Sequence, residues 1–393
     1  RLLLLSALLV SALLQGCGGD YLSDSGEESD NNNNDSATVD ISNSIFTKRS
    51  GDCADYANAL EASVLDISQS MGFEASMLIS NTTDTCTFVS NSIPNHDFND
   101  ASAHFATPTA EYALEMSVSR SPVMAAAISP LTQQSEDAMF LNGVVLDILS
   151  AGCYDPSKSG ADANGNTAIG CDDRSPWLLD PLGNEGKFGA DLHNAHTQPT
   201  GQYHYHGNPE AMFDDNPGPN GSPVIGFAAD GFPIYGAWFI NQDGTLVKAK
   251  SSYKLKNWGL NPDENGFGQS RDPYVGLPDF FNHGTPPTPW DVQNRPGDFD
   301  FSFTSTPFGV PLGRYLDDWV YDSTGATGNL DECNGATDIN GVYGYYVTNE
   351  YPYGPICTFG IHEPSFGKVP PLRWDDETVT NTTDENGDKI NGH

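Results

Sequence analysis

The feature that most constrains the fold is Tyr203-His204-Tyr205-His206, in which two residue types alternate. Successive side chains of an extended strand point to opposite faces, so a strand here places both histidines on one face and both tyrosines on the other. We expect the aromatic tyrosine face to be the packed one, and both tyrosine and histidine favour or tolerate strands. Two imidazoles on one face, two residues apart, lie near enough to bind a single metal ion.

The segment before this strand predicts a tight reversal of the chain. QPTG at 198–201 combines proline, which fixes φ, with glycine, which tolerates positive φ. Such a turn folds His196 back toward the strand, so that His196, His204 and His206 offer three neutral nitrogens and leave positions open for water. This pattern is typical of a catalytic zinc site or a copper site. We expect His193, three residues earlier, to be a fourth ligand or an outer-shell partner.

Several motifs accompany this histidine window in order along the chain. Around DLHNAHTQPTGQYHYHG at 191–207 the sequence has SNSIPNHDF at 90–98, SPVIGFAADGFPIYG at 222–236, LDECNG at 330–335 and YGYYVTNEYPYGPIC at 343–357. Together they resemble the signature of the YHYH-domain family of exported bacterial proteins, over roughly residues 85–360. The resemblance implies an exported domain centred on the histidine window and implies no particular reaction.

Other residues are further candidates for chemistry. His96 lies in a loop and either reaches the metal site or serves only as a hydrogen-bonding residue. Asp230 is either an outer-shell carboxylate for a metal-bound histidine or the cap of its own turn. Glu332 is a candidate general acid or base. A short acidic run resembles the start of a calcium loop, with a solvated turn as the alternative, at Asp162, Asn164 and Asn166.

The N-terminal residues have the pattern of a lipoprotein signal. Residues 1–16 form a short apolar run, too short to span a membrane, and the LQGC ending is similar to a bacterial lipobox. Cys17 is then the lipidated residue; an ordinary signal peptide with a chance cysteine is the alternative. Residues 17–45 predict a disordered acidic tether. We therefore expect an exported, membrane-anchored protein with its folded domain over 46–370 and a polar tail over 371–393.

Cysteine usage supports an oxidising compartment. Without Cys17, six of the seven cysteines remain, and they occur as three pairs that are close in sequence. No C-x-x-C spacing suggests a zinc finger. Six cysteines permit fifteen connectivities, and the simplest is Cys53–Cys86, Cys153–Cys171 and Cys333–Cys357. Structural disulfides are the interpretation we adopt.

Composition favours a β-rich fold with long loops. The 393 residues include 40 glycines and 27 prolines, and long helical patterns are few. We predict a mainly β, sandwich-like or barrel-like core, with a β-rich α+β fold as the alternative. Alternating apolar residues over 73–79 and a turn at 81–84 predict a hairpin, whereas 55–70 fits either a strand or a short amphipathic helix. No repeat of solenoid or propeller length is visible.

Charge and motifs limit the function classes. The net charge of −36 opposes binding to nucleic acid and to anionic lipid headgroups. The serine-hydrolase elbow, the His-Glu-x-x-His helix and the phosphate-binding glycine loop are absent. Three hypotheses remain: a metal-dependent hydrolase, lyase or copper oxidoreductase; a surface protein that binds metal, a small molecule or glycan without catalysis; and structural histidines without metal.

Overall fold

A computed structural model gives the fold over residues 38–154, 166–167, 170–171, 178–183, 189–255, 313 and 315–368. The protein is mainly β, as predicted, and its helices within these ranges are short 3₁₀ turns rather than α-helices. They span Cys53–Tyr56, Glu210–Met212, Leu316–Asp318 and Pro364–Phe366. None of the helices in these ranges has the length and hydrophobicity that crossing a membrane requires.

The strands are numbered in chain order. They are β1 (Val39–Asp40), β2 (Asn58–Asp66), β3 (Met71–Asn81), β4 (Thr85–Ser90), β5 (Leu114–Ser119), β6 (Ser129–Pro130), β7 (Ala138–Phe140), β8 (Val145–Leu146), β9 (Cys153–Tyr154), β10 (Asn166–Thr167), β11 (Ala195–Thr197), β12 (Tyr203–Tyr205), β13 (Val224–Ala228), β14 (Pro233–Tyr235), β15 (Trp238–Ile240), β16 (Leu246–Lys248), β17 (Tyr253–Leu255), β18 (Trp319–Tyr321), β19 (Gly335–Thr337), β20 (Tyr343–Tyr346) and β21 (Cys357–Thr358).

The first sheet has five strands in the order β1-β2-β3-β4-β5. Its strands alternate between buried and exposed residues; in β3, Ala75, Met77 and Ile79 are buried while the residues between them face solvent. One face therefore packs and the other is hydrated, which is the usual pattern of an antiparallel sheet, and all strand pairs here except the parallel β1–β2 pair are antiparallel. The stretch over 55–70, which the sequence left open between strand and helix, is mostly strand β2.

The second sheet has eight strands in the order β11-β12-β8-β7-β13-β14-β20-β19. The first sheet packs on its centre: the Phe88 and Phe227 ring centroids lie 6.0 Å apart, and the Ser90 hydroxyl donates to the Gly143 carbonyl at 2.5 Å. Its central strands are buried throughout. Within the described ranges the two sheets share one core and no sheet closes into a barrel, which agrees with the sandwich-like alternative rather than the barrel-like one.

The predicted cross-links and boundaries can be compared with this fold. All three disulfides form as predicted, between Cys53 and Cys86, Cys153 and Cys171, and Cys333 and Cys357. The tether predicted over 17–45 ends too late, because β1 pairs with β2 and the Asn95 amide donates to the carbonyls of residues 41 and 44 at 2.9 Å. The proposed calcium loop lies outside the described residues, apart from the backbone of Asn166.

The eight-stranded sheet consists of two matching halves. In each half a hairpin lies at the edge of the sheet (β11–β12, β19–β20), and its second strand runs parallel to the second strand of an inner hairpin (β7–β8, β13–β14). At the centre, β7 and β13 are antiparallel. Met139 of β7 pairs with Phe227, which occupies the equivalent position in β13. This pairing describes an approximate twofold axis. We call β11–β12 the first hairpin and β19–β20 the second hairpin.

The two edge hairpins share sequence as well as topology. Residues 191–205 and 331–345 are identical at six positions, namely Asp191/Asp331, Asn194/Asn334, Thr197/Thr337, Gly201/Gly341, Tyr203/Tyr343 and Tyr205/Tyr345. Both asparagines take a positive φ, 59° and 63°, and both glycines do so as well, 87° and 77°. In each copy the first tyrosine donates to the first aspartate, at 2.9 and 3.0 Å. The sheet is therefore an internal duplication.

The second tyrosine of each hairpin forms equivalent buried hydrogen bonds, which should stabilise both halves alike. Tyr205 Oη bonds the Asn142 amide at 2.9 Å and His96 Nε2 at 2.6 Å. Tyr345 Oη donates to Asp230 Oδ2 at 2.7 Å and accepts from the Phe359 backbone at 2.8 Å.

We expect Tyr205→Phe and Tyr345→Phe each to lower the free energy of unfolding by about 1–3 kcal/mol, because each leaves buried polar groups without a partner. Urea unfolding measures the effect. Tyr321→Phe is the control, since its hydroxyl has no hydrogen bond among the described residues, and it should change stability by less than about 0.5 kcal/mol. A wild-type unfolding midpoint for either buried variant would contradict this account.

Candidate functional site

Three histidines converge at the first hairpin. β11 and β12 are antiparallel with His196 directly opposite His204, as the turn at 198–201 predicts. His206 follows β12 on the same face as His204. The His206 Nε2 atom lies 3.1 Å from His204 Nε2 and 2.9 Å from His196 Nε2, and the ligand nitrogens of all three lie within 4.8 Å of one another. We call these residues the histidine triad.

These separations match the distances between donors around one metal ion. Zinc–imidazole bonds are about 2.0–2.1 Å, so two nitrogens on one ion lie about 2.9 Å apart at a 90° angle and about 3.3 Å apart at a tetrahedral angle. The observed 2.9 and 3.1 Å fall in this range. His206 therefore lies at metal-site spacing from both other histidines, and the ligand nitrogens of all three lie within 4.8 Å of one another.

The buried triad histidines are held neutral. Burial lowers the pKa of His204 and of His206 well below the usual histidine value, and repulsion between the imidazoles lowers both further. His204 Nδ1 lies 3.3 Å from the Gln202 carbonyl, which can only accept, so the proton belongs on Nδ1 and Nε2 is a free acceptor. Metal binding requires this neutral form.

Buried charges lie beside the triad. Asp147 follows β8, the strand next to β12, and both its charge and its backbone raise the pKa of His206 against the effect of burial. Asp147 Oδ2 accepts from Lys368 Nζ at 2.5 Å and from the Gln198 amide at 3.0 Å. Burial raises the pKa of nearby Glu136 to about 7, opposed by Lys368. Asp147 and Lys368 thus act on the triad with opposite signs, because the charge of Lys368 lowers the pKa of His204.

The triad is open on one side. β11 is the edge strand of its sheet, and His196 is half-buried while His204 and His206 are buried. Among the described residues no fourth histidine, cysteine or carboxylate joins the three nitrogens. A metal ion held by this triad keeps coordination positions for water or a small ligand.

His193 and His96 lie on the tyrosine face of the strand rather than with the triad. Their ring centroids are 3.9 Å apart, and His96 Nε2 bonds the Tyr205 hydroxyl at 2.6 Å. His96 also lies against the Tyr203 ring, at a centroid distance of 6.4 Å. The geometry therefore gives neither residue a place as a ligand, and His96 has the hydrogen-bonding role.

Asp230 and Glu332, the candidate catalytic residues, belong to the other half of the sheet. Asp230 accepts from the Phe232 and Gly360 backbones and from Tyr345, so it caps its turn. Glu332 lies in the second hairpin, where its carbonyl accepts from Tyr253. Five strand-to-strand steps, about 24 Å, separate β12 from β20. The structure does not bring these residues to the triad.

The residues around the triad that the sequence did not single out come from distant segments. Asp147, Glu136 and Lys368 have no motif near the histidine window. Gln198 and Gln202 lie in the turn itself, and both reach this group of charges, through Asp147 and Glu136. The one sequence feature that points to these buried carboxylates is the presence of two glutamines in the turn, whose amides can donate to them.

Comparison with known families gives one match. A family model described as "YHYH protein" matches residues 115–360, which is more than half of the chain. No curated protein and no solved structure matches the chain significantly.

The buried His96 predicts a dependence of stability on pH. Burial, with His193 beside it, lowers its pKa to about 3 from the ordinary 6.5. Below about pH 6.5 the unfolded chain binds a proton at this residue that the folded protein does not, so the stability that neutral His96 supports is complete above pH 6.5 and is lost as the pH falls toward 3.

The expected slope from this one residue is about 1.4 kcal/mol per pH unit. We expect the free energy of unfolding of metal-free His96→Gln, measured in urea between pH 4.5 and 6, to change with pH by about 1.4 kcal/mol per pH unit less than that of the wild type. The exposed His104→Gln is the control and should keep the wild-type slope. Parallel pH profiles for wild type and His96→Gln would refute the assignment.

Proposed function

The chain belongs to the YHYH protein family, and we propose that it binds one divalent transition-metal ion, copper or zinc, through His196, His204 and His206. The observation that carries the proposal is the convergence of three histidines, in which His206 Nε2 lies 2.9 Å from His196 Nε2 and 3.1 Å from His204 Nε2. Imidazole nitrogen suits both metals.

Proton counting supports a cation over packed histidines. A neutral imidazole carries one N–H, and the His204 proton is on Nδ1, so its Nε2 faces the other two rings as an acceptor. Without a cation, at most one of the two contacts of His206 Nε2 can be an ordinary hydrogen bond, because His206 Nε2 either donates or accepts and His204 Nε2 can only accept. One metal ion satisfies all three acceptors together, and buried polar groups favour full satisfaction.

The open side of the triad supports catalysis at the bound metal. Zinc with three protein ligands lowers the pKa of bound water to about 7 and provides a hydroxide nucleophile, which suits a hydrolase or lyase. Copper in the same place suits redox chemistry instead. Glycan docking has less support, because no aromatic side chain among the described residues is fully exposed.

We also propose that the protein acts outside the cytoplasm, anchored through Cys17. The three disulfides support an oxidising compartment, since such bonds are rare where thiols are kept reduced. The metal site does not depend on the anchor.

The metal site is tested by calorimetric titration of chelator-treated full-length protein with Zn²⁺ and Cu²⁺. We expect one tight equivalent for at least one of the two metals. His204→Ala and His206→Ala should each weaken it by more than about 100-fold, since loss of an outer-shell partner alone costs about 10- to 100-fold.

His193→Ala is the matched control, because His193 lies in the same window but on the other face of the strand. It should bind metal as the wild type does. Equal affinity of the wild type and the His204→Ala variant would refute the proposal, and so would the loss of binding in His193→Ala with binding kept in His204→Ala.

A further inference from the structure

The internal duplication places a second pocket where the second hairpin repeats the first. In the first half the triad is surrounded by Asp147, Gln198 and Gln202. The strand pairing is the same in both halves, so their counterparts in the second half are Tyr235, Asp338 and Val342, respectively. All three counterparts line one cavity of about 360 Å³, together with Arg49, Ile240 and Asn340. We call it the Arg49 pocket.

The second hairpin has none of the metal-binding side chains. Ala336, Gly344 and Tyr346 stand where the first hairpin has His196, His204 and His206. A side chain at position 344 would force its neighbours to move, because a Cβ there would lie 2.5 Å from the Tyr235 ring and 2.9 Å from the Pro233 carbonyl oxygen. The Tyr235 ring thus fills the space of the second histidine and stacks on Tyr346, with ring centroids 5.3 Å apart. Among the described residues, this copy therefore has no counterpart of the histidine triad.

Arg49 brings a positive charge into the pocket. Its guanidinium lies over the Tyr235 ring, 5.4 Å from the centroid, and donates to the Ser222 carbonyl. It forms no ion pair with any carboxylate in the part of the chain that the structure describes. Since a guanidinium has five N–H donors, several remain for a ligand. Such an arginine is unexpected in a chain with 53 acidic and 17 basic residues.

Asp338 brings a negative charge to the same pocket. Its Oδ1 accepts from the backbones of Asn340 and Val342 at 2.8 and 3.0 Å, and its Oδ2 accepts from the Asn340 amide at 3.2 Å. These bonds fix the carboxylate and leave one of its roughly four acceptor positions unused. Arg49 and Asp338 line one cavity without forming an ion pair with each other, so each is available to a group of opposite charge.

We propose that the Arg49 pocket binds a small zwitterion of the α-amino-acid type. Arg49 binds the carboxylate, for which the planar guanidinium fork is suited, and Asp338 binds the ammonium group. Tyr235, Ile240 and Val342 provide an apolar wall for a side chain. The volume lies at the lower end of the range for small-ligand sites, about 300–1,000 Å³. The duplication has thus produced one cation site and one site for a ligand with both charges.

Three probes of the same shape test the proposal on full-length protein by ligand-observed NMR titration. L-leucine carries both charges, 4-methylpentanoate lacks the ammonium group, and 3-methylbutylamine lacks the carboxylate. We expect leucine to bind at least about tenfold more tightly than either of the others, because a hydrogen-bonded charge contributes a factor of this size. Equal binding of leucine and 4-methylpentanoate would show a simple anion site and refute the proposal, as would no leucine binding.

Two conservative variants assign the charges. Arg49→Gln retains a donor for Ser222 and should lower leucine affinity at least about tenfold while leaving 3-methylbutylamine binding unchanged. Asp338→Asn retains an acceptor for the turn and should lower leucine affinity similarly while leaving 4-methylpentanoate binding unchanged. Unchanged leucine affinity in either variant would refute the assignment.

Val342→Phe and Arg120→Gln complete the design. Val342→Phe fills the cavity without altering either charge and should abolish leucine binding, so the test does not depend on the folding of the charge variants. Arg120→Gln removes an arginine that is paired with Asp52 and does not line the pocket, and it should bind leucine as the wild type does. Leucine binding retained in Val342→Phe would exclude this cavity as the site.

Discussion

The hydrogen bonds of two buried tyrosines determine where the histidines lie. Tyr203 donates to Asp191 and Tyr205 bonds to Asn142 and His96, and both rings are fully buried. Because side chains alternate along a strand, a fixed tyrosine face fixes the opposite face. The triad is thereby assembled before any ligand binds, which lowers the ordering cost of binding a metal ion.

The duplication separates the framework of the hairpin from its chemistry. Both hairpins keep the aspartate, asparagine, glycine and two tyrosines that form the turns and the packed face. On the opposite face the two copies differ at every triad position, with Ala336, Gly344 and Tyr346 in the second hairpin. The two ends of the sheet, which are related by the axis between β7 and β13, therefore present different side chains on this face.

The sequence predicted the local geometry of the site well, because alternation and turn residues act over short distances. It predicted the faces of the YHYH strand, the return of His196 and the pairing of six cysteines. His193 was misplaced, although its separation of three residues from His196 already favours the opposite face. Asp147, Asp230 and Lys368 depend on the order of strands in the sheet, which no local pattern contains. The duplication has only a weak sequence signal, because only six positions of each hairpin are identical.

The most direct test of the central claim is the X-ray absorption spectrum of the metal-loaded protein, because a net charge of −36 also attracts cations to surface carboxylates. If the triad is the site, the spectrum will show three imidazole nitrogens at about 2.0 Å with one or two further light atoms. A first shell of oxygen atoms alone, without the scattering of imidazole rings, would contradict the account.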